Sequence, residues 1–247
     1  MYLVTDRRQR AFSFGDTLTR RNPFAFSGEQ SPLLLYYGNT MYYSVCMVLH
    51  DQASGIAGEI ERLNEALEHT AVGSNHCVHT SPLIRRENEY ATLSLSERRR
   101  IFFAMLTFVR KVNISYRYFC VRKHFTDSND VLHDVLLREI VSFLIIRADI
   151  FEPFDQIKVY YDNGQAQMKK MLQEAFAIYS SKTQFPPDVT PAKYRLFQGA
   201  DLICALELAA AKMASGNGLS TSENAFFGGP HKFKRNVLKQ IREKAII

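Results

Sequence analysis

The chain has 247 residues, of which 46% are hydrophobic, 12% aromatic and 23% charged. This composition is typical of a globular protein and excludes a fully disordered chain, a collagen-like chain and a coiled-coil rod. No apolar run in the sequence reaches the ~18 residues that a membrane span needs, and the first eight residues carry charge where a signal peptide is apolar. We therefore expect a soluble, cytoplasmic protein that has no membrane partner.

The net charge indicates which partners are expected, and the spacing of the cysteines indicates their chemical state. Lys plus Arg is 31 and Asp plus Glu is 25, which gives a net charge of +6. This suits a polyanionic partner such as nucleic acid without being diagnostic of one. The four cysteines are far apart and show no CxxC spacing, so we expect reduced thiols rather than a disulfide framework or a zinc site.

The first part of the chain differs from the rest. Residues 1–40 contain arginine pairs and scattered phenylalanines without a sustained period, and we expect this segment to be irregular. Regular patterns begin at residue 41, and residues 41–247 are predicted to form one domain. Residues 42–49 are apolar on both faces, which is typical of a buried strand. A helix follows, because Ile56, Ile60, Leu63 and Leu67 share one helical face.

The remaining patterns continue this alternation. Residues 73–90 form a polar loop, after which Ser94 and Glu97 make a capping box that opens a long helix through Val109. Ser128 is predicted to cap a well-buried helix that runs to about Ile150. Further strands are expected at 114–121 and 157–161, further helices at 166–179 and 197–213, and a basic helix at the end, with Lys232, Lys234, Arg235, Lys239, Arg242 and Lys244. Strands and helices that alternate in this way predict an α/β or α+β fold.

Two aspartates are candidates for chemistry. Asp162 follows a predicted strand, and functional groups in α/β sheets gather at the carboxyl ends of strands. The alternative is a plain turn aspartate before Asn163 and Gly164. Asp201 lies between apolar residues on a predicted helix, so we expect it to be partly buried. A buried carboxylate needs a partner, and a metal ion or an arginine would serve. The alternative there is a solvated helix position.

The loop before the capping box offers cations. Arg85 and Arg86 are adjacent, and guanidinium groups match phosphate oxygens bidentately. The alternative is that they pair with Glu87 and Glu89. The nearby group of His76, Cys77 and His79 lacks a second pair of zinc ligands. The basic helix could follow a phosphate backbone or be a solvated face. The sequence contains no Walker A, GxGxxG or GxSxG motif, so the usual signatures of P-loop, Rossmann and serine-hydrolase chemistry are missing.

Several segments together resemble the domain-of-unknown-function 3800 family. They keep the order found in that family and cover roughly residue 41 to the C-terminus. The matching stretches are YYSVCMVLHDQ at 42–52, HTSPLIRRENEY at 79–90, residues 96–109, KVYYDNGQ at 158–165, LFQGADLICAL at 196–206 and the tail at 227–242.

The resemblance implies a ribonuclease-H-like fold, in which helices flank a mixed sheet and acidic residues cluster at strand ends. By fold analogy it implies a metal-dependent nuclease that hydrolyses phosphodiesters with Mg²⁺. The acids of the family correspond to Asp162 and Asp201, which would hold the metal, and Glu87 would complete the cluster. The residues expected to face nucleic acid are His79, Arg85, Arg86, Gln198 and Asn163.

The start of the chain departs from the family. Members begin with a strand that ends in Asp-Glu-Ser-Gly or Asp-Asp-Ser-Gly, and residues 1–40 contain neither motif, so the first strand is expected to be missing or replaced. Residues 6–10 can be reverse-translated so that a frame shifted by one base encodes Ile-Asp-Asp-Ser-Gly. A shifted reading frame is therefore one explanation of the difference.

The missing motif also bears on activity. Only Glu87, Glu207 or Asp6 could replace the missing carboxylate, so this chain is expected to be inactive or nearly so. Two alternatives remain open. One is a non-catalytic module that binds nucleic acid or protein. The other is an interaction protein whose acids merely pair with arginines.

Overall fold

The strands form one mixed six-stranded sheet in the order β4-β3-β2-β1-β5-β6. Neighbouring strands are antiparallel, apart from the parallel pair β5 and β6. The computed structural model describes residues 2–7, 25–26, 42–123, 128–161, 166–187 and 189–247. The strands are β1 (Tyr2–Arg7), β2 (Ala25–Phe26), β3 (Tyr42–Asp51), β4 (Ser115–Arg122), β5 (Phe154–Tyr160) and β6 (Thr183–Gln184).

Ten α-helices lie within the described residues and alternate with these strands, which confirms the mixed α/β class. They are α1 (Ala57–Glu68), α2 (Thr80–Arg85), α3 (Leu95–Lys111), α4 (Asn129–Ile146), α5 (Ala148–Phe151), α6 (Ala166–Tyr179), α7 (Arg195–Ala214), α8 (Thr221–Phe227), α9 (Pro230–Phe233) and α10 (Lys239–Arg242). The predicted Ser94–Glu97 capping box is present at the start of α3. Ser128 caps α4 as predicted, since its side chain accepts a hydrogen bond from the Val131 amide.

The expectation that residues 1–40 are irregular does not hold for β1 and β2. β1 lies inside the sheet, between β2 and β5. Its first four residues, Tyr-Leu-Val-Thr, favour a strand, and the pairing with β5 supplies the tertiary partner that a short strand requires. A first strand is therefore present. The rest of the segment lies outside the described residues.

The register of β1 decides where its carboxyl end lies. Tyr2 is opposite Tyr160, whereas Arg7 is opposite Phe154. Because the two strands are antiparallel, the end of β1 lies beside the start of β5. Arg7 is about 16 Å along the strand from the Tyr2–Tyr160 pair. Asp6 thus lies toward the end of the sheet opposite to the carboxyl end of β5.

Helices cover both faces of the sheet. Successive side chains of a strand point to opposite faces. Tyr43 of β3 hydrogen-bonds His133 of α4 at 2.7 Å, and Ser44 contacts Cys204 of α7 at 3.7 Å. α4 and α7 therefore pack on opposite faces, and the fully buried Cys46, Met47 and Val48 lie between the layers.

The outer edge of β4 is covered locally by residues 244–246. The Tyr116 amide donates to the Lys244 carbonyl at 2.9 Å, and the Ile246 amide donates to the Tyr116 carbonyl at 2.8 Å. Residues near the end of the chain thus extend the sheet by one short parallel bridge.

Three expectations about helices need correction. The predicted polar loop 73–90 contains α2 and a 3₁₀ helix, Asn88–Tyr90. The helix expected to reach Ile150 ends at Ile146 and is followed by the separate α5. It is also less buried than predicted, because Ile145 and Ile146 are exposed. The single basic helix expected at the end is instead α9, a π-helical turn and α10 in succession.

Candidate functional site

The candidate site lies where the loop before α2 meets the first turns of α7. Asp201, on the second turn of α7, is half-buried, and its Oδ2 accepts a hydrogen bond of 2.7 Å from the Thr80 amide. Thr80 is the first residue of α2 and is itself buried. The expected partial burial of Asp201 is therefore confirmed. One partner of its carboxylate is a backbone amide, which the sequence did not indicate, and a metal ion or an arginine as a further partner stays a prediction.

Gly199 lets α7 approach α3 closely. A Cβ on Gly199 would lie 3.2 Å from Cγ2 of Val109, which is tighter than ordinary van der Waals contact. The absence of a side chain at this position fixes the depth at which the first turns of α7 pack. It therefore helps to set the place of Asp201 two residues later.

Arg195 and Gln198 hold the loop 74–78 against α7. The Arg195 guanidinium donates to Asn64 Oδ1 at 3.0 Å, to the His76 carbonyl at 2.8 Å and to the Ser74 carbonyl. It also donates to Gln198 Oε1 at 2.9 Å, which accepts a further hydrogen bond from the Val78 amide. Burial lowers the pKa of Arg195 from its usual value, although this pKa begins so high that the group keeps its charge.

The Tyr90 hydroxyl connects the loop to the start of α2. It accepts a hydrogen bond of 3.1 Å from the His79 amide and lies 2.7 Å from His76 Nε2. Burial raises the pKa of Tyr90 well above its usual range and lowers the pKa of His76. Both groups are therefore neutral near pH 7, and the tautomer of the imidazole decides which of the two donates the hydrogen bond.

Arg98 binds the opposite end of α2. Its Nη1 donates to the carbonyls of Leu83 and Ile84 at 2.8 and 2.9 Å. The residue is only 7% exposed, and its guanidinium lies over the Phe226 ring, 5.6 Å from the centroid. A cation at a helix C-terminus is favoured by the helix dipole. The sequence analysis did not single out Arg98, although it shares one helical face with Ile101, Phe102 and Met105.

The predicted phosphate-binding residues separate into two groups. His79 is exposed next to Thr80, and Gln198 is buried beneath the same loop. Arg85 and Arg86 lie at the far end of α2, about 10 Å from His79. Arg85 Nε donates to Glu87 Oε2 at 2.9 Å, as the alternative interpretation expected.

Arg86 and Glu89 also have partners. Arg86 has a positive φ of 64° and donates through Nε to the Ala91 carbonyl, while its side chain stays largely exposed. Glu89 does not pair with either arginine but lies 3.6 Å from His76 Nε2.

Glu207 is not part of the candidate site. Both of its oxygens bind the Arg242 guanidinium, at 3.0 and 2.7 Å, and the Tyr116 hydroxyl donates to Oε1 at 2.6 Å. Burial and the nearby Glu207 carboxylate raise the pKa of Tyr116 well above its usual range. Glu207 therefore has a structural role, and Asp6 is kept distant by the register of β1.

Asp162 and Asn163 lie outside the described residues, so their place relative to Asp201 stays a prediction. The described residues before them do approach α7. Tyr160 is at the end of β5, and Tyr194 is the residue before α7. The centroids of their rings are 5.1 Å apart.

A magnesium ion needs several oxygen ligands. No group of three or more His, Cys, Asp or Glu side chains within the described part of the chain is arranged to hold a metal. At the loop before α2 the described residues supply the carboxylate of Asp201 and, 3.6 Å from His76 Nε2, that of Glu89. They fit magnesium only if Asp162 contributes as the resemblance implies.

The basic segment at the end of the chain has two kinds of cation. Arg242 binds Glu207, and Lys244 Nζ donates to the Val112 carbonyl at 2.7 Å, so both serve the fold. The other four cations are exposed: Lys232, Lys234, Arg235 and Lys239.

No family model, curated protein or solved structure was found to match this chain. The resemblance to the domain-of-unknown-function 3800 family therefore stays a prediction. No helix among the described residues has both the length and the apolar character that crossing a bilayer requires.

Proposed function

We propose that the protein is a nuclease-like, nucleic-acid-binding protein whose phosphodiester site lies at the junction of α2 and α7. In this proposal Asp162 and Asp201 hold Mg²⁺, and His79 and Arg86 face the phosphates. The observation that carries the proposal is the fixed carboxylate of Asp201 beside the exposed His79.

The fixed position of Asp201 supports a role in binding a cation. A carboxylate offers about four lone-pair positions, so it can accept the Thr80 amide and still bind an ion. The loop that surrounds it is held by Arg195, Gln198 and Tyr90, all of which are at least partly buried. A site built on such supports keeps its geometry when a ligand binds.

The exposed side chains at the two ends of α2 support phosphate binding. His79 and Arg86 stand at opposite ends of the helix, about 10 Å apart, so they can contact separate phosphates of one strand. Arg85 is engaged by Glu87, so we assign it a weaker contribution than Arg86.

Magnesium, when bound, would activate water and stabilise the leaving oxygen of a phosphodiester. Asp162 and Asp201 would hold it. The other three candidate carboxylates do not join this metal site. Glu87 pairs with Arg85, and Glu207 pairs with Arg242. Asp6 lies away from this end of the sheet. Two carboxylates bind magnesium weakly, so the proposed cleavage is slow.

A non-catalytic module that binds nucleic acid is the second candidate. It is favoured by the antiparallel pairing of β1 with β5, which places the carboxyl ends of these strands apart. A cluster of acids from both strand ends cannot form with this pairing. Binding through His79 and Arg86 does not depend on such a cluster.

The Asp201→Asn variant separates the two candidates. Asparagine keeps a side-chain oxygen that accepts the hydrogen bond from the Thr80 amide, so the fold is preserved. The negative charge, however, is lost. A nuclease loses its magnesium-dependent cleavage of a labelled single- or double-stranded oligonucleotide. A pure binder retains its affinity for the same oligonucleotide in EDTA.

Glu65→Gln is the matched control. Glu65 is exposed on α1, and its substitution removes one negative charge, as Asp201→Asn does. Cleavage by the wild type that EDTA abolishes, and that Asp201→Asn reduces by about tenfold or more while Glu65→Gln does not, supports the nuclease. Binding without cleavage supports the second candidate. Absence of both binding and cleavage contradicts the proposal.

A further inference from the structure

A groove of about 760 Å³ lies between α1 and α3. Its apolar lining combines the small Ala66 and Ala104 with the larger Leu63, Phe103 and Phe108. Phe103 is 48% exposed, a large apolar side chain that the fold leaves in contact with water. Small residues flanked by large ones give a concave surface along which another helix can approach closely.

This groove is distinct from the candidate site. Phe108, which lines it, belongs to the part of α3 that packs against Gly199 of α7. Asp201 is two residues after Gly199, and two residues correspond to about 200° around a helix. Asp201 therefore leaves α7 on the side away from α3.

Two cations border the groove without an ion pair of their own. Arg100 and Lys111 are exposed, and neither side chain has an ion pair or hydrogen bond with another described residue. Eleven positions of a helix return to nearly the same face, so these cations flank Ala104 and Thr107 on one stripe, about 16 Å apart. The third cation of the border, Arg62, already binds Glu59 at 2.7 Å.

We propose that the α1–α3 groove binds an amphipathic helix of a protein partner, one with an apolar stripe between two acidic residues. Helix-in-groove recognition uses apolar anchors spaced three or four residues apart. Acidic residues eleven positions apart on the partner helix would match the spacing of Arg100 and Lys111. The leucine-sized anchors between them would fill the floor over Ala66 and Ala104.

The composition of the groove favours a peptide over nucleic acid. A nucleic acid carries a charge at every nucleotide, so phosphates would also fall between Arg100 and Lys111, which are about 16 Å apart. They would lie over an apolar floor and near the Glu59 carboxylate. A helix that is charged only at its two ends avoids this cost.

The test uses a synthetic amphipathic peptide with a leucine stripe and two glutamates eleven positions apart. Its binding to the full chain is measured by fluorescence anisotropy, beside a peptide that carries lysines at the two glutamate positions. We expect Arg100→Glu combined with Lys111→Glu to weaken binding of the glutamate peptide by about tenfold or more, since like charges then face each other. The lysine peptide should bind this double variant better than it binds the wild type.

Arg110→Glu is the control, because Arg110 is an exposed cation of the same helix that does not line the groove. It should leave binding unchanged within about twofold, and circular dichroism should show all variants folded. No binding of the glutamate peptide, or binding that the double variant leaves unchanged, overturns the proposal. It is also overturned if a single-stranded oligonucleotide, and not the peptide, binds in a way that depends on Arg100 and Lys111.

Discussion

Asp201 and Arg98 bind opposite ends of the same six-residue helix. The Asp201 carboxylate accepts the amide of the first residue of α2, and the Arg98 guanidinium donates to two of its last carbonyls. A negative charge at the N-terminus of a helix and a positive charge at its C-terminus both interact favourably with the helix dipole and stabilise the helix. A helix of this length is unstable alone, so α2 depends on these two side chains from α7 and α3.

Replacement of Asp201 by alanine should destabilise the protein. The buried Thr80 amide would lose its acceptor, which costs about 1–3 kcal/mol of unfolding free energy. Asp201→Asn should lose less than half of that, because the amide oxygen still accepts the hydrogen bond. Urea denaturation of both variants checks this, and equal losses in the two would show that charge rather than the hydrogen bond holds α2.

Replacement of Arg98 by methionine should also destabilise the fold, by about 2 kcal/mol. The apolar side chain removes the cost of burying a guanidinium but leaves the Leu83 and Ile84 carbonyls without their donor. Arg98→Lys should lose less, since it keeps one donor and the charge. Limited proteolysis should show faster cleavage within residues 73–90 for Arg98→Met.

The exposed Arg110 on the same helix provides the control for Arg98. Arg110→Met should change the unfolding free energy by less than about 0.5 kcal/mol. If Arg98→Met were as stable as Arg110→Met, the burial cost of the guanidinium would equal the value of its two hydrogen bonds.

The Glu207–Arg242 pair should contribute to stability rather than to metal binding. Half of the Arg242 side chain is exposed, so solvent screens the pair and its coupling energy should be about 1 kcal/mol. A double-mutant cycle with Glu207→Gln and Arg242→Met measures this term. A change in magnesium affinity on Glu207→Gln would contradict the structural role.

Stability should fall as the pH drops from about 7 to 5. Burial lowers the pKa of His50, whose Nδ1 lies 2.8 Å from the Asn113 carbonyl. The unfolded chain then binds more protons than the folded one, so the unfolding free energy rises with pH. As the pH falls below the usual pKa of histidine, ~6.5, the unfolding free energy decreases. Burial also lowers the pKa of His76 and His133, which adds to the same trend.

The variant His50→Gln should reduce the slope of unfolding free energy against pH between about 5 and 6.5. His231→Gln should not, because the His231 imidazole is exposed on α9 and makes no hydrogen bond with the described residues. Chemical denaturation at several pH values measures both slopes. A slope for His50→Gln that equals that of the wild type would assign the dependence to other groups.

The sequence predicted the elements whose signals are local. The capping box of Ser94 and Glu97 uses side chains within one turn, and the apolar stripe of α1 appears directly as residue spacing. A second capping box, Ser220 with Glu223, opens α8 and carried the same signal, but the sequence analysis passed over it.

The sequence could not predict elements that depend on distant partners. α2 requires Asp201 and Arg98, which lie 121 and 15 residues from their partners in the chain. β1 is six residues long and stands before an arginine-rich stretch, so its strand pattern was obscured when residues 1–40 were considered together. In the site, Asp201 was identified from its apolar neighbours, whereas Arg195 carried no such signal although it organises the loop.

The short bridge between residues 244–246 and Tyr116 has a consequence for synthesis of the protein on the ribosome. These residues are translated about 130 residues after Tyr116, which takes roughly 6–25 s at 5–20 residues per second. During this interval the outer edge of β4 at Tyr116 has no partner from this segment. An uncovered strand edge can pair with another chain. Throughout this interval the nascent protein is therefore open to association, through this edge, with its neighbours on the same messenger.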